Sequence, residues 1–259
     1  MSVTDLFDLG GKVALITGST RGIGRAIAQQ FAERGARVVI SSRKADACEA
    51  VRSSIEQAGG EAIAVPCNIG DKAQLQALVD TTVKQWGRID VLVCNAAVNP
   101  HFGPLAQISD DAYDKTMNSN VRSNLWLCNM ALPVMAKNGG GALIIVSSIA
   151  GLKGSRMLGA YALSKAADSQ LARNLALEWG QHKITANALA PGIIKTDFAR
   201  ALYENPETEK RAVAQYPIGR LGVVEDVAGV AVMLASRAGA FITGQTIVID
   251  GGVTMNESG

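Results

Sequence analysis

The chain has 259 residues, 48% of them hydrophobic and 19% charged, with a formal net charge of +2. That profile suits one large domain with a substantial core; it excludes a disordered chain and carries no basic footprint for nucleic acid. The dispersed Cys48, Cys67, Cys94 and Cys128 lack the close pairs of a zinc ribbon or redox motif, and His101 and His182 are too few for a His-based zinc site.

The opening MSVTDLFDLGGK has no basic segment leading into an apolar one, so no secretory signal is expected. No apolar run reaches membrane-spanning length. KVALIT reads as the first strand, followed by the helical GIGRAIAQQFAERG. RVVISS and KADACEAVRSSIEQAGG repeat the alternation, as do EAIAVPC and DKAQLQALVDTTVKQWG, and IDVLVCNAA is the next strand. A long helix is expected from about Ser109 to Lys137, then the strand GALIIVSS and the helix GAYALSKAADSQLARNLALEW. KITANALAPG, the helix VEDVAGVAVMLAS and the strand QTIVIDGG complete the series.

The strands are continuous apolar runs, which indicates burial on both faces. Their alternation with helices predicts the α/β class: a single-domain, Rossmann-type, doubly wound parallel sheet of about seven strands, with helices on both faces. No linker or short repeat divides residues 1–259. The charged segment from Thr196 to about Val224 fits the alternation least well; it reads as a substrate lid or, alternatively, a surface excursion.

The first strand ends in TGSTRGIG, where Gly18, Gly22 and Gly24 open the first helix with Ser19, Arg21 and Ile23 between them. Glycines allow backbone amides to approach a pyrophosphate, and a helix N-terminus favours its charge; a tight turn without ligand is the alternative. The second strand ends in Ser41, Ser42 and Arg43, with none of the carboxylates that bind both adenosine ribose hydroxyls. Arg43 and Arg21 suit a 2′-phosphate, each attracting it by up to about 4 kcal/mol before desolvation at an effective dielectric near 20. NADP(H) is therefore the expected cofactor, unless both arginines are merely solvated.

In YALSK, Tyr161 and Lys165 lie one helical turn apart on a shared face. A phenol beside an ammonium suits proton transfer, though the pair alone is also compatible with a surface helix. Ser148, at the end of the fifth strand, would face the nicotinamide of a dinucleotide lying across the strand ends.

TGSTRGIG, CNAA, Asn120 in NSNVRS, Ser148 in VSSIAG, YALSK and APGIIKT together resemble the short-chain dehydrogenases/reductases over nearly the whole chain. The resemblance implies Tyr161 as acid/base for a carbonyl or secondary alcohol. Lys165 would stabilise the phenolate and hydrogen-bond the nicotinamide ribose. Ser148 would hold the substrate oxygen and Asn120 a proton-relaying water, with no metal needed. Pro191, Gly192, Ile194 and Thr196 would border the nicotinamide, and Asn95, Ala96 and Ala97 would lie along the cofactor. Two positions depart from the family pattern: Ala97 stands where a glycine is usual, and Asn68, followed by Ile69, where an acid is usual at the adenine.

SSRK, NAAVNP and APGIIKT resemble the NADP(H)-dependent carbonyl and retinal reductase branch, whose mammalian members end in a peroxisomal tripeptide. This sequence ends NESG, so a cytoplasmic location is expected. The resemblance also implies a homotetramer, or a dimer, and a small-molecule substrate, with no nucleic-acid or membrane partner. A 3-oxoacyl thioester reductase, with Lys137 and Lys195 as candidate docking cations, and a non-catalytic NADP-binding sensor or scaffold remain as alternatives.

Overall fold

In a computed structural model describing residues 6–255, the strands form one parallel sheet. They are β1 (Val13–Thr17), β2 (Arg37–Ser41), β3 (Glu61–Ala64), β4 (Val91–Cys94), β5 (Gly141–Val146), β6 (Ile184–Pro191) and β7 (Thr246–Ile249), in the order β3-β2-β1-β4-β5-β6-β7. The chain reverses its winding between β1 and β4, the switch point where open α/β sheets place ligands. The MSVTD opening and NESG ending lie outside the described residues.

Period-two alternation divides the core between the two faces. Ala14, Ile16, Val38, Ile40, Val91, Val93 and Ile144 point to one side. There they meet helices α1 (Gly22–Glu33) and α2 (Ala45–Gln57), together with α8 (Val224–Ala235). Leu15, Val39, Leu92, Leu143 and Ile145 point to the other, against α3 (Lys72–Trp86), α5 (Ser123–Lys137) and α6 (Gly159–Trp179). Each buried Leu or Ile contributes roughly 1.5–3 kcal/mol, so a one-residue register slip would forfeit a whole layer. All four cysteines are buried and unbridged. Among the described residues no helix is long and apolar enough to cross a membrane.

One expected element is interrupted. The helix anticipated from about Ser109 to Lys137 is α4 (Asp110–Met117), a π-helical turn (Asn118–Arg122) and then α5. The Asn120 side chain accounts for the break. It accepts from the Val98 amide at 2.8 Å and donates to the Val98 carbonyl at 3.0 Å, tying the helix to the loop after β4. Single π turns of this kind often occur at functional sites.

The Thr196–Val224 segment carries a 3₁₀ turn (Asp197–Leu202) and helix α7 (Pro206–Val213). Two tyrosines fasten it to the exit of β6. The Tyr216 hydroxyl accepts from the Ile193 amide at 2.6 Å, and the Tyr203 hydroxyl donates to the Thr196 carbonyl at 2.8 Å.

Candidate active site

A cleft of about 1470 Å³ runs along the carboxyl ends of the strands. One wall is the glycine loop. Gly18 (φ +66°) and Gly22 (φ +54°) occupy the left-handed region, and a Cβ on Gly24 would overlap the Gly18 carbonyl and the Asn95 amide. Asn95 staples this loop to β4, donating through Nδ2 to Thr17 O at 2.9 Å and Gly18 O at 3.1 Å. No side chain caps α1, whereas Asp71 caps α3 and Ser109 caps α4. The first amides of α1 are thus left without a side-chain acceptor, an arrangement that suits a pyrophosphate.

Arg21, Ser42, Arg43 and Lys44 line the cleft beside β2. Ser42 Oγ lies 3.3 Å from Cys48 Sγ, and Arg43 is exposed. Among the described residues Asp197 is the only carboxylate in the lining; it follows β6, four strands from β2, and pairs with Arg200. Asn68 Oδ1 accepts from the Gly70 amide at 3.1 Å, so its oxygen is engaged by its own turn, next to Ile69.

Across the cleft, β5 delivers Ser148 and α6 delivers Tyr161 and Lys165. Ser148 Oγ accepts from Ala150 N at 3.1 Å, which fixes the turn and leaves the hydroxyl proton to donate elsewhere. Lys165 Nζ lies 5.7 Å from the centroid of the Tyr161 ring, and the Phe198 ring lies 6.1 Å from the same ring. The Lys165 ammonium is buried, donating to Asp168 Oδ2 at 2.9 Å and to Val146 O at 2.8 Å. Burial, the largest single influence, acts to lower the Lys165 pKa, yet the Asp168 carboxylate, together with Tyr161 and Cys94, holds the ammonium above its ordinary range.

The expected residues Ala96, Ala97, Pro191, Gly192, Ile194 and Thr196 also line this cleft. Three expected residues do not. Ser19 is buried behind the loop, its Oγ donating to Ile16 O at 2.9 Å and accepting from Ser41 N at 2.8 Å. Gly24 is a packing position under the loop. Asn120 is buried, with Val98 and Ser164 as its side-chain partners. Of the two docking candidates, Lys195 is paired with Glu209 and Lys137 is outside the lining.

Sequence reading missed the far wall: Val98, Phe102, Lys115, Lys153, Leu158, Tyr216 and Val253. No local pattern marks them, because they come from distant stretches of chain: the loops after β4, β5 and β7, helix α4, and the turn after α7. Tyr216 left a faint signal, as one of two tyrosines in the segment that fitted the alternation least well.

A family model described as enoyl-(acyl carrier protein) reductase matches residues 18–254. Dehydrogenase/reductase SDR family member 4 of Bos taurus is 41% identical over 244 residues, covering 94% of this chain and 88% of its own. The solved structure of a 7α-hydroxysteroid dehydrogenase complexed with NADH and 7-oxo glycochenodeoxycholic acid superimposes with a TM-score of 0.93 at 38% identity, covering 97% and 98% of the two chains. A protein assigned as an NAD(P)-dependent gluconate 5-dehydrogenase from Beutenbergia cavernae, holding NADP at low occupancy, gives 0.92 at 33% identity, with 97% and 100% covered.

Proposed function

This chain belongs to the short-chain dehydrogenase/reductase family, and from that premise we propose an NADP(H)-dependent carbonyl reductase/alcohol dehydrogenase with Tyr161 as its acid/base. That it is an oxidoreductase of alcohol and carbonyl groups using a nicotinamide dinucleotide follows from the family. The observation that carries the finer reading is one continuous cleft. It joins an uncapped glycine-loop helix and the cations Arg21 and Arg43 at one end to Ser148 and Tyr161 at the other.

When bound, the dinucleotide supplies or accepts the hydride. In the reduction direction, Ser148 donates a hydrogen bond to the substrate carbonyl oxygen, and Tyr161 gives that oxygen its proton. In oxidation Tyr161 accepts the proton instead. Lys165 keeps a positive charge near the phenol, favouring the phenolate form during that exchange. Asn120 holds the Val98 loop and Ser164 in place around the site. The segment from Thr196 to Val224 acts as the lid, with Phe198 beside Tyr161 excluding water.

NADP(H) is favoured because the β2 end of the cleft presents cations and no carboxylate. The acyl-thioester alternative draws on the description of the matching family model, while the pairing of Lys195 with Glu209 weakens its docking surface. The test is NADPH and NADH consumption against ketones, diketones, aldehydes and a 3-oxoacyl thioester. Turnover of a simple ketone with NADPH preferred is expected. Turnover of the thioester alone favours the acyl-thioester reading, and no turnover of any carbonyl overturns both enzymatic readings.

A further inference from the structure

Behind Lys165, on the side away from the cleft, lies a charged cluster with no place in the proton exchange described above. Asp168 follows Lys165 by one turn of α6, and the two side chains are 0% and 3% exposed. Its Oδ2 accepts from the Lys165 ammonium at 2.9 Å; its Oδ1 accepts from Asn124 Nδ2 on α5 at 2.9 Å. The same Asn124 amide donates to the Asn120 carbonyl in the π turn at 2.6 Å. Both carboxylate oxygens therefore face N–H donors, the pattern of an ionised group.

An ion pair buried this deeply is seldom favoured by stability alone, since apolar residues of similar volume commonly do as well. α6 could pack here with Ala or Leu, as it does at Ala172 and Leu175. Something other than packing is needed to account for a carboxylate at this position.

We propose that Asp168 is a positioning residue acting through Lys165: its carboxylate, oriented by Asn124, keeps the buried ammonium charged and directed so that it supports the phenolate of Tyr161. The inference rests on the reading of Tyr161 as acid/base. The other titratable groups facing Lys165 are Tyr161 on its own helix and Cys94 on β4. Hydrogen bonding to Cys128 on α5 and burial both push the Cys94 thiol up, so it remains neutral. Burial raises the Asp168 carboxyl above its ordinary value, and the Lys165 ammonium and the Asn124 amide act against that; among the described residues Asp168 is the carboxylate that faces Lys165. Without it, burial releases the lysine proton at lower pH, and a neutral amine does not support a phenolate.

The test is Asp168→Asn in the full chain, followed by the pH profile of alcohol oxidation with cyclohexanol, or the fastest alcohol found, as probe. The acidic limb should move to higher pH by about one unit, lowering kcat/KM on that limb about tenfold, with kcat carrying the loss. The dinucleotide dissociation constant should change less than about threefold, as expected for a residue that does not touch the cofactor. A second readout needs no turnover. In the ligand-free protein, the thermal destabilisation of Asp168→Asn should shrink between about pH 7 and pH 10, where Lys165 is charged in the unfolded chain but reluctant to be so in the variant. A packing defect would give a constant difference.

Asn124→Ala should move the limb in the same direction by less, and it decides the matter if Asp168→Asn does not fold. A limb within about 0.2 units of wild type, or one moved to lower pH, overturns the proposal. Tyr161→Phe, measured alongside, separates the two readings. If it is inactive, an unmoved limb overturns only the role of Asp168; if it turns over normally, the acid/base reading falls and this inference falls with it.

Discussion

At Tyr161 the hydroxyl is the only atom that distinguishes proton transfer from packing, since the ring lies beside Phe198 and Lys165 in either case. Tyr161→Phe should cut turnover by about 10²–10⁴-fold while leaving NADPH affinity nearly intact, measured by steady-state rates and cofactor titration. Retention of most of the rate would show the assignment to be wrong. Cofactor choice is also decided at single residues. Ser42→Asp with Arg43→Ala adds repulsion and removes attraction at the proposed 2′-phosphate site, the two ways by which specificity is inverted. NADPH affinity should fall roughly ten- to a hundredfold, with NADH binding held or improved, in titrations at fixed ionic strength. A wild type that prefers NADH would refute this reading whatever the double variant does.

Among the elements, the entry to α8 shows how the Thr196–Val224 segment is anchored. Asp226 Oδ2 accepts from the Val223 amide at 2.8 Å, and Arg220 donates to both carboxylate oxygens at 2.6 and 2.9 Å. Hydrogen bonding from Arg220 outweighs partial burial and holds the Asp226 carboxyl below its usual range. A depressed carboxyl stabilises the fold above its unfolded pKa, and that contribution is lost as pH falls through the folded value. Asp226→Asn should therefore cost about 1 kcal/mol at neutral pH, seen as a loss of a few degrees in Tm. The difference from wild type should start to shrink as pH falls below the ordinary carboxyl value of about 4 and be gone once the folded Asp226 carboxyl is itself protonated. An equal difference before and after that protonation would mean that the carboxylate charge contributes nothing.

For the whole molecule, apolar surface predicts assembly. Leu125, Leu163 and Leu177 are exposed on α5 and α6, the last 86% accessible, and Phe241, just before β7, is fully accessible. Covering a fully exposed side chain contributes about 1.5–3 kcal/mol, and roughly half that at the half-exposed Leu125 and Leu163, which favours symmetric pairing of these faces. Light scattering should give a tetramer, or a dimer, of the 27.0 kDa chain; a monomer at micromolar concentration would contradict this. Leu177→Lys should shift the equilibrium toward smaller species if α6 forms a contact.

Strand–helix alternation, the glycine loop and the Tyr161–Lys165 spacing were legible in the sequence because each is local: a period of two or 3.6, or a turn that only glycine accommodates. The seven-stranded parallel sheet and the helix Gly159–Trp179 follow those periods closely. The π turn was not legible, because it depends on Asn120 reaching the Val98 backbone 22 residues away, and hydropathy sees only a continuing helix. The partners of Lys165 divide along the same line. Asp168 is one turn away and visible in the text of the chain, but Asn124, which orients it, is 44 residues distant and meets it only when α5 packs against α6. Local propensity determined which elements form; the packing of distant elements decided which side chains meet, and electrostatics in a buried site depends on those meetings.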